Sequence, residues 1–199
     1  MRRFVPRAAR IILGPEMEWA VIARERHSWA VCWNYLAPLV LIAPIAYGGR
    51  VLLGGDGALR TFGSSAEARR FALLSACGGI VASLLSVIAM SLVICLLAPF
   101  FAGRRNFGDA FRLVIFAGTP VWVSGIVLLA PLNRFPLLVI VILIATMHSV
   151  FLFYLGVHHV LDVPRRDAAE CGAIVMAAGI MLSSVAGYYA SAAGLFPHL

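Results

Sequence analysis

Gly103-Arg104-Arg105-Asn106-Phe107-Gly108-Asp109 opens the stretch that decides the fold, and two long apolar runs follow it. The first is Ala110–Ala130, with Pro120 in its middle. The second is Pro136–Leu161, ending Tyr154-Leu155-Gly156-Val157-His158-His159-Val160-Leu161. Only Pro131-Leu132-Asn133-Arg134-Phe135 separates them, and Arg165-Arg166 follows. A bilayer core takes about 20 apolar residues of helix to cross. The stretch therefore predicts a helical hairpin through a membrane, with a basic loop before it and another after it.

Working outward gives three more apolar runs. The expected spans are 29–47, 71–101, 110–130, 136–161 and 171–193, making an all-α membrane protein of five transmembrane helices in a compact bundle. Residues 1–28 form an N-terminal cytoplasmic segment and residues 29–199 the five-span transmembrane domain. Met1–Arg10 carries Arg2, Arg3, Arg7 and Arg10 and reads as mobile. Gly14-Pro15 then starts a short helix, because proline suits a first helical position and Glu16 and Glu18 suit the positive end of its dipole. Trp19 and Ile22 share one face of it, which predicts an interfacial helix with Trp19 at headgroup depth. Span one contains Asn34, Pro38 and Pro44 and is expected to be kinked or locally unwound. The loop 48–70 is rich in Gly and Ser and reads as flexible, with one helical turn at Ser65–Arg70 capped by Ser64 or Ser65. Span two is long enough to tilt or project. Small residues repeat every four positions along it, through Ser75, Gly79 and Ser83. Span five repeats the pattern through Gly179, Ser183, Gly187 and Ser191, and such stripes let helix backbones approach closely in lipid.

Composition supports a membrane class. The 199 residues are 62% hydrophobic, and mean hydropathy is +0.95. The formal net charge is +7, and all 16 basic residues are arginine. These flank apolar runs instead of lining one polar face, so topology and anionic lipid explain them and nucleic acid is excluded as a partner. Cys32, Cys77, Cys95 and Cys171 lie in or beside apolar runs without metal-type spacing and read as packing residues. The first apolar run starts late and no small-residue cleavage site follows it, so it is expected to remain as an anchor. With the N-terminus cytoplasmic, eleven arginines fall inside and five outside. That favours a cytoplasmic N-terminus and an external C-terminus in a cell inner membrane.

Chemistry has few places to sit. His148 is the one ionisable residue in the middle of an expected span; it reads as a hydrogen-bonded packing histidine or as a proton-relay or ligand position. His158, His159 and Asp162 gather at the end of span four. His158 and Asp162 share one helix face, a spacing seen in metal ligands, but too few other ligands stand nearby for a metal site. Asp109 is placed to cap a helix start, with Arg112 one turn on. Pro120 breaks one backbone bond mid-membrane, with Thr119 placed to compensate, which makes a packing kink or a hinge. Asn34 is a further polar position. Catalytic motifs, paired intramembrane carboxylates and cofactor signatures are absent from the sequence, so neither enzyme activity nor a cofactor is expected.

Pro15 with Glu18-Trp19 and Ile22, then Tyr35-Leu36-Ala37-Pro38-Leu39, then the basic loop leading through Phe111-Arg112 to Pro120, and last Phe153-Tyr154-Leu155-Gly156-Val157, follow one another along the chain. In that order they resemble the bacterial branch of the Yip1 family, over roughly residues 15–190. The resemblance implies a five-span membrane protein with a cytosolic N-terminus and brings no catalytic residues. In eukaryotes the family serves vesicle traffic through small GTPases; this chain has no long N-terminal region, so GTPase binding does not carry over. The expected function is a non-enzymatic membrane organiser or adaptor working through helix contacts. The alternative is a small transporter, channel or scramblase-like lipid handler. Its partners would be membrane lipids and other membrane proteins or a second copy of itself.

Overall fold

In hydrocarbon every backbone N–H and C=O must be paired within the protein, which a helix does segment by segment. Every regular element among the described residues of the computed structural model is accordingly helical. The structure describes residues 4–24, 29–53, 63–129 and 135–192, with side chains described at 7–24, 29–53, 63–129, 136–179 and 181. The helices are α1 (Phe4–Leu13), α2 (Pro15–Arg24), α3 (Trp29–Leu53), α4 (Ser65–Leu97), α5 (Phe107–Ala117), α6 (Thr119–Ser124), α7 (Phe135–Leu161) and α8 (Arg165–Ala192). Short 3-10 turns at Ala98–Phe101 and Gly125–Leu129 extend α4 and α6.

Three helical stretches are long and apolar enough to cross a membrane: Trp29–Leu53, Ser65–Phe101 and Pro136–Leu161. A fourth is a broken span, in which Phe107–Ala117 and Thr119–Leu129 meet at a 41° bend. The expected count of five is thus corrected to three or four among the described residues. α8 is a 28-residue helix over the expected fifth span but is not among the crossing stretches. It begins in charge, at Arg165, Arg166 and Asp167, and the side chains of most of its second half lie outside the described residues.

Several boundaries move. α3 runs unbroken through Pro38 and Pro44 to Leu53, past the expected end at Tyr47, so neither proline unwinds it. α4 starts at Ser65, so Arg69 and Arg70 belong to the long helix and not to a separate turn. Ser64 caps it from an extended backbone: its Oγ accepts from Glu67 N–H at 3.2 Å and donates to Glu67 Oε2 at 3.2 Å. Asn106, and not Asp109, caps α5, its Oδ1 accepting from the N–H groups of Gly108 (2.9 Å) and Asp109 (3.3 Å). α7 stops at Leu161, where Asp162 turns into the left-handed region at φ 58°. The 37 residues of Ser65–Phe101 rise about 55 Å at 1.5 Å each, well beyond a core of about 30 Å, a length that calls for tilt or projection.

The largest departure is at the start of the chain. Residues 4–13, expected as part of a mobile basic tail, form α1, and α2 packs beside it along α7. Trp19 and Ile22 do share a face, but they are fully buried in the bundle core with Ile11. Trp19 therefore lies inside the protein instead of at headgroup depth. The reason is visible at Gly156 on α7. A Cβ there would sit 2.5 Å from Leu113 Cδ1 and 2.6 Å from Trp19 Cζ2, so only glycine leaves room for the indole. Gly125 does the same for α3: a Cβ would lie 2.7 Å from that of Ala43.

Candidate functional site

The α1–α2 pair carries charge into the bundle. Glu18 is 4% exposed, and Arg7 Nε lies 3.1 Å from its Oε1 and Arg10 Nε 2.9 Å from its Oε2. Arg7 is itself nearly buried and stands over the Phe116 ring at 5.3 Å. A buried carboxylate is costly unless paired, and two guanidinium groups pair this one. Phe116 is the common neighbour of three helices. Besides Arg7 from α1, it meets Trp19 of α2 edge-on at 6.5 Å and Tyr35 of α3 at 4.6 Å.

Depth follows from one hydrogen bond. His148, the fourteenth of the 27 residues of α7, places Nε2 3.1 Å from the Ile12 carbonyl at the end of α1. That carbonyl has no partner further along α1, and the imidazole N–H satisfies it. From His148 to the end of α7 is about 20 Å at 1.5 Å per residue. The α1–α2 turn therefore reaches the middle of a membrane-crossing helix, with exposed Leu13 and Met17 at its tip. His148 is a clamp on this hairpin. The sequence pointed to it but not to the pairing of Glu18 with Arg7, which carries the hairpin's charge into the bundle.

The break in the fourth span is built around Thr119 and Pro120, both buried. Pro120 has no N–H to give to the carbonyl four residues back, that of Phe116. Thr119 Oγ1 donates to this carbonyl at 2.8 Å instead. With the hydroxyl proton so used, Tyr35 donates its own to Thr119 Oγ1, at 2.9 Å. A buried chain thus runs from α3 to the bend, with every proton assigned.

The remaining sequence candidates scatter. Asp109 is buried and paired with Arg112 one turn on in α5. Asn34 is exposed on α3 and lines neither cavity. His158 and Asp162 do not share a helix face: Asp162 has left the helix and pairs with Arg104 at 2.6 Å. His158 Nδ1 bonds the Val163 carbonyl and His159 Nδ1 the Leu155 carbonyl, each at 2.8 Å. Groups of three or more metal-ligating side chains are absent among the described residues. Gly79 packs against Pro44, 3.3 Å from a Cβ built on it, and Gly179 against Met90. Ser183 and Gly187 fall in the part of α8 whose side chains lie outside the described residues.

Two cavities open on the bundle. One, of about 400 Å³, lies between α3, α4 and the broken span, walled by Leu39, Ala43, Ala82, Ser83, Gly118 and Trp122. The other, of about 310 Å³, lies at the charged end of α7, where Glu16, His158, His159 and Arg165 stand over Phe151 and Leu155.

These features define a helical multi-pass membrane protein whose N-terminal charged hairpin is folded into its own bundle. The model of the Yip1 domain matches residues 9–186, and the chain belongs to the Yip1 family. That match begins inside α1, so α2 with Glu18, and Arg10 of α1, lie within the matched residues, while Arg7 precedes them. Comparison with curated proteins finds no match, and neither does comparison with solved structures.

Proposed function

We propose that this chain is a non-enzymatic organiser or adaptor of the membrane, acting through lateral helix contacts. The observation that supports it is the open 400 Å³ groove beside the small-residue face of α4. Ala82 and Ser83 line that groove, and a Cβ on Gly78, one turn before Ala82, would meet nothing within 4 Å. Association in lipid depends on van der Waals fit, which small residues at a groove edge provide. His148, Thr119 and Tyr35 are taken up by partners inside the chain, which also favours a scaffold over a conduit. In this reading α8 is a fifth crossing. The N-terminus is cytoplasmic, the C-terminus is external, and the membrane is a bacterial inner membrane, as the arginine balance argues. Neither a cofactor nor a catalytic residue belongs to it.

The test is to fill the groove edge at two positions, the exposed Ala82 and the open Gly78, with Ala82→Leu and Gly78→Leu. Cross-linking in native membranes, with the size of the purified assembly, should show smaller complexes and lost membrane-protein partners. Unchanged complexes from correctly folded variants would refute the reading. A second reading, lipid handling, is favoured by the bend at Thr119-Pro120 forming one wall of the same groove. Lipid scrambling by the purified protein in liposomes, above that of empty vesicles, would put it first.

A further inference from the structure

The smaller cavity has an unusual set of walls. Glu16 and Arg165 line it from different helices, α2 and α8, yet neither has an ion-pair or hydrogen-bond partner among the described residues. Two other acids near this end of α7 and α8 are paired elsewhere, Asp162 with Arg104 and Asp167 with Arg166. A carboxylate and a guanidinium held on one cavity without meeting complement a molecule that carries both charges itself.

The histidines sharpen this. His158 and His159 each turn Nδ1 to a backbone carbonyl, of Val163 and Leu155. A carbonyl only accepts, so Nδ1 carries the proton in both rings, and in the neutral ring Nε2 keeps a lone pair. Beside Arg165, the residues lining the cavity thus supply two imidazole acceptors, one carboxylate and the Tyr154 hydroxyl. A primary ammonium has three N–H donors, and a quaternary ammonium has none. Below the polar groups the walls are Phe151 and Leu155. Phe151 lies ten residues before the end of α7, about 15 Å down the helix, in the apolar part of the span.

We propose that this cavity binds a phospholipid whose headgroup ends in a primary amine, of the phosphoethanolamine type. The ammonium sits among Glu16, His158 and His159, the phosphate meets Arg165, and the glycerol and first acyl carbons lie on Phe151 and Leu155. The source is the bilayer and not a soluble phosphate, because the apolar half of the cavity is continuous with the span. The site is independent of the organiser reading and stands or falls without it.

The experiment is native mass spectrometry of the delipidated full chain with phosphatidylethanolamine, phosphatidylcholine and phosphatidylglycerol, each at equal concentration. Charge-assisted hydrogen bonds to the ammonium predict at least about tenfold tighter binding of the ethanolamine lipid than of the choline lipid. Glu16→Gln, on an exposed side chain, should remove most of that preference while leaving the glycerol lipid unaffected. Arg165→Gln should weaken all three. Equal binding of choline and ethanolamine lipids, or ethanolamine binding unchanged in E16Q, overturns the proposal. Tighter binding of the glycerol lipid than of the ethanolamine lipid overturns it too, since the site would then read phosphate alone. Soluble phosphoethanolamine competing as well as the lipid would overturn the bilayer source.

Discussion

Glu18→Leu isolates the electrostatics of the buried hairpin. The substitution keeps the bulk and removes the charge that Arg7 and Arg10 share. The Arg10 side chain is 61% exposed, so its contact is screened and contributes about 1 kcal/mol or less. Arg7 is 15% exposed and pinned over Phe116, so it would be left as a buried cation without its carboxylate. Breaking a buried pair from one side costs about 3–5 kcal/mol. We expect the variant to be destabilised by that amount in denaturant titrations in mixed micelles, with faster tryptic cleavage after Arg10. The double variant Arg7→Met/Glu18→Leu should recover most of the loss, because an apolar pair of similar volume replaces an ion pair almost neutrally. A single-variant cost under about 1 kcal/mol would mean the cluster is solvated. A double variant no better than Glu18→Leu alone would mean the carboxylate acts through something other than Arg7. Either result refutes the account.

Two further outcomes follow from packing and backbone chemistry. Gly156→Ala forces a methyl into the Trp19 and Leu113 side chains and should cost about 1–3 kcal/mol, with Trp19→Leu relieving part of it; a neutral Gly156→Ala would show that the indole is not seated there. Thr119→Val removes the hydroxyl that bonds both the Phe116 carbonyl and the Tyr35 hydroxyl and should cost about 1–3 kcal/mol. That cost should shrink in a Pro120→Ala background, where the restored N–H returns to Phe116, and strictly additive losses would break the link between the two residues.

Three membrane-crossing helices and the broken fourth were legible because lipid leaves long apolar runs one backbone solution, and Pro120 with Thr119 carried its own explanation; the expected fifth, over α8, is not among the crossing stretches. The N-terminal hairpin was not. Arg7 and Arg10 stand one turn apart and Glu18 lies across a Gly14-Pro15 turn, so the pairing was available as a local pattern. Four arginines in ten residues read more simply as topology signal, however, and the sequence of α2 alone gave a weak stripe. What decided the matter is Gly156, over a hundred residues away, and nothing local marks that glycine as the seat of a tryptophan. Asp162 misled for a related reason: helical spacing placed it beside His158, but the turn before Pro164 carried it off to Arg104. The cavity that does hold both histidines needed Glu16 and Arg165 from elsewhere in the chain.

The hairpin also sets an order of events during synthesis. Its clamp joins residues 136 positions apart, Ile12 and His148. At about 5–20 residues per second, the first helices emerge on the order of ten seconds before α7 exists to receive them. Their ion pairs, by contrast, span only eight to eleven positions and close within the hairpin itself. The nascent N-terminus can therefore wait at the membrane surface with its carboxylate already matched. The contact to His148 has to wait for α7, so the hairpin's internal charge pairing does not depend on the helix that later receives it.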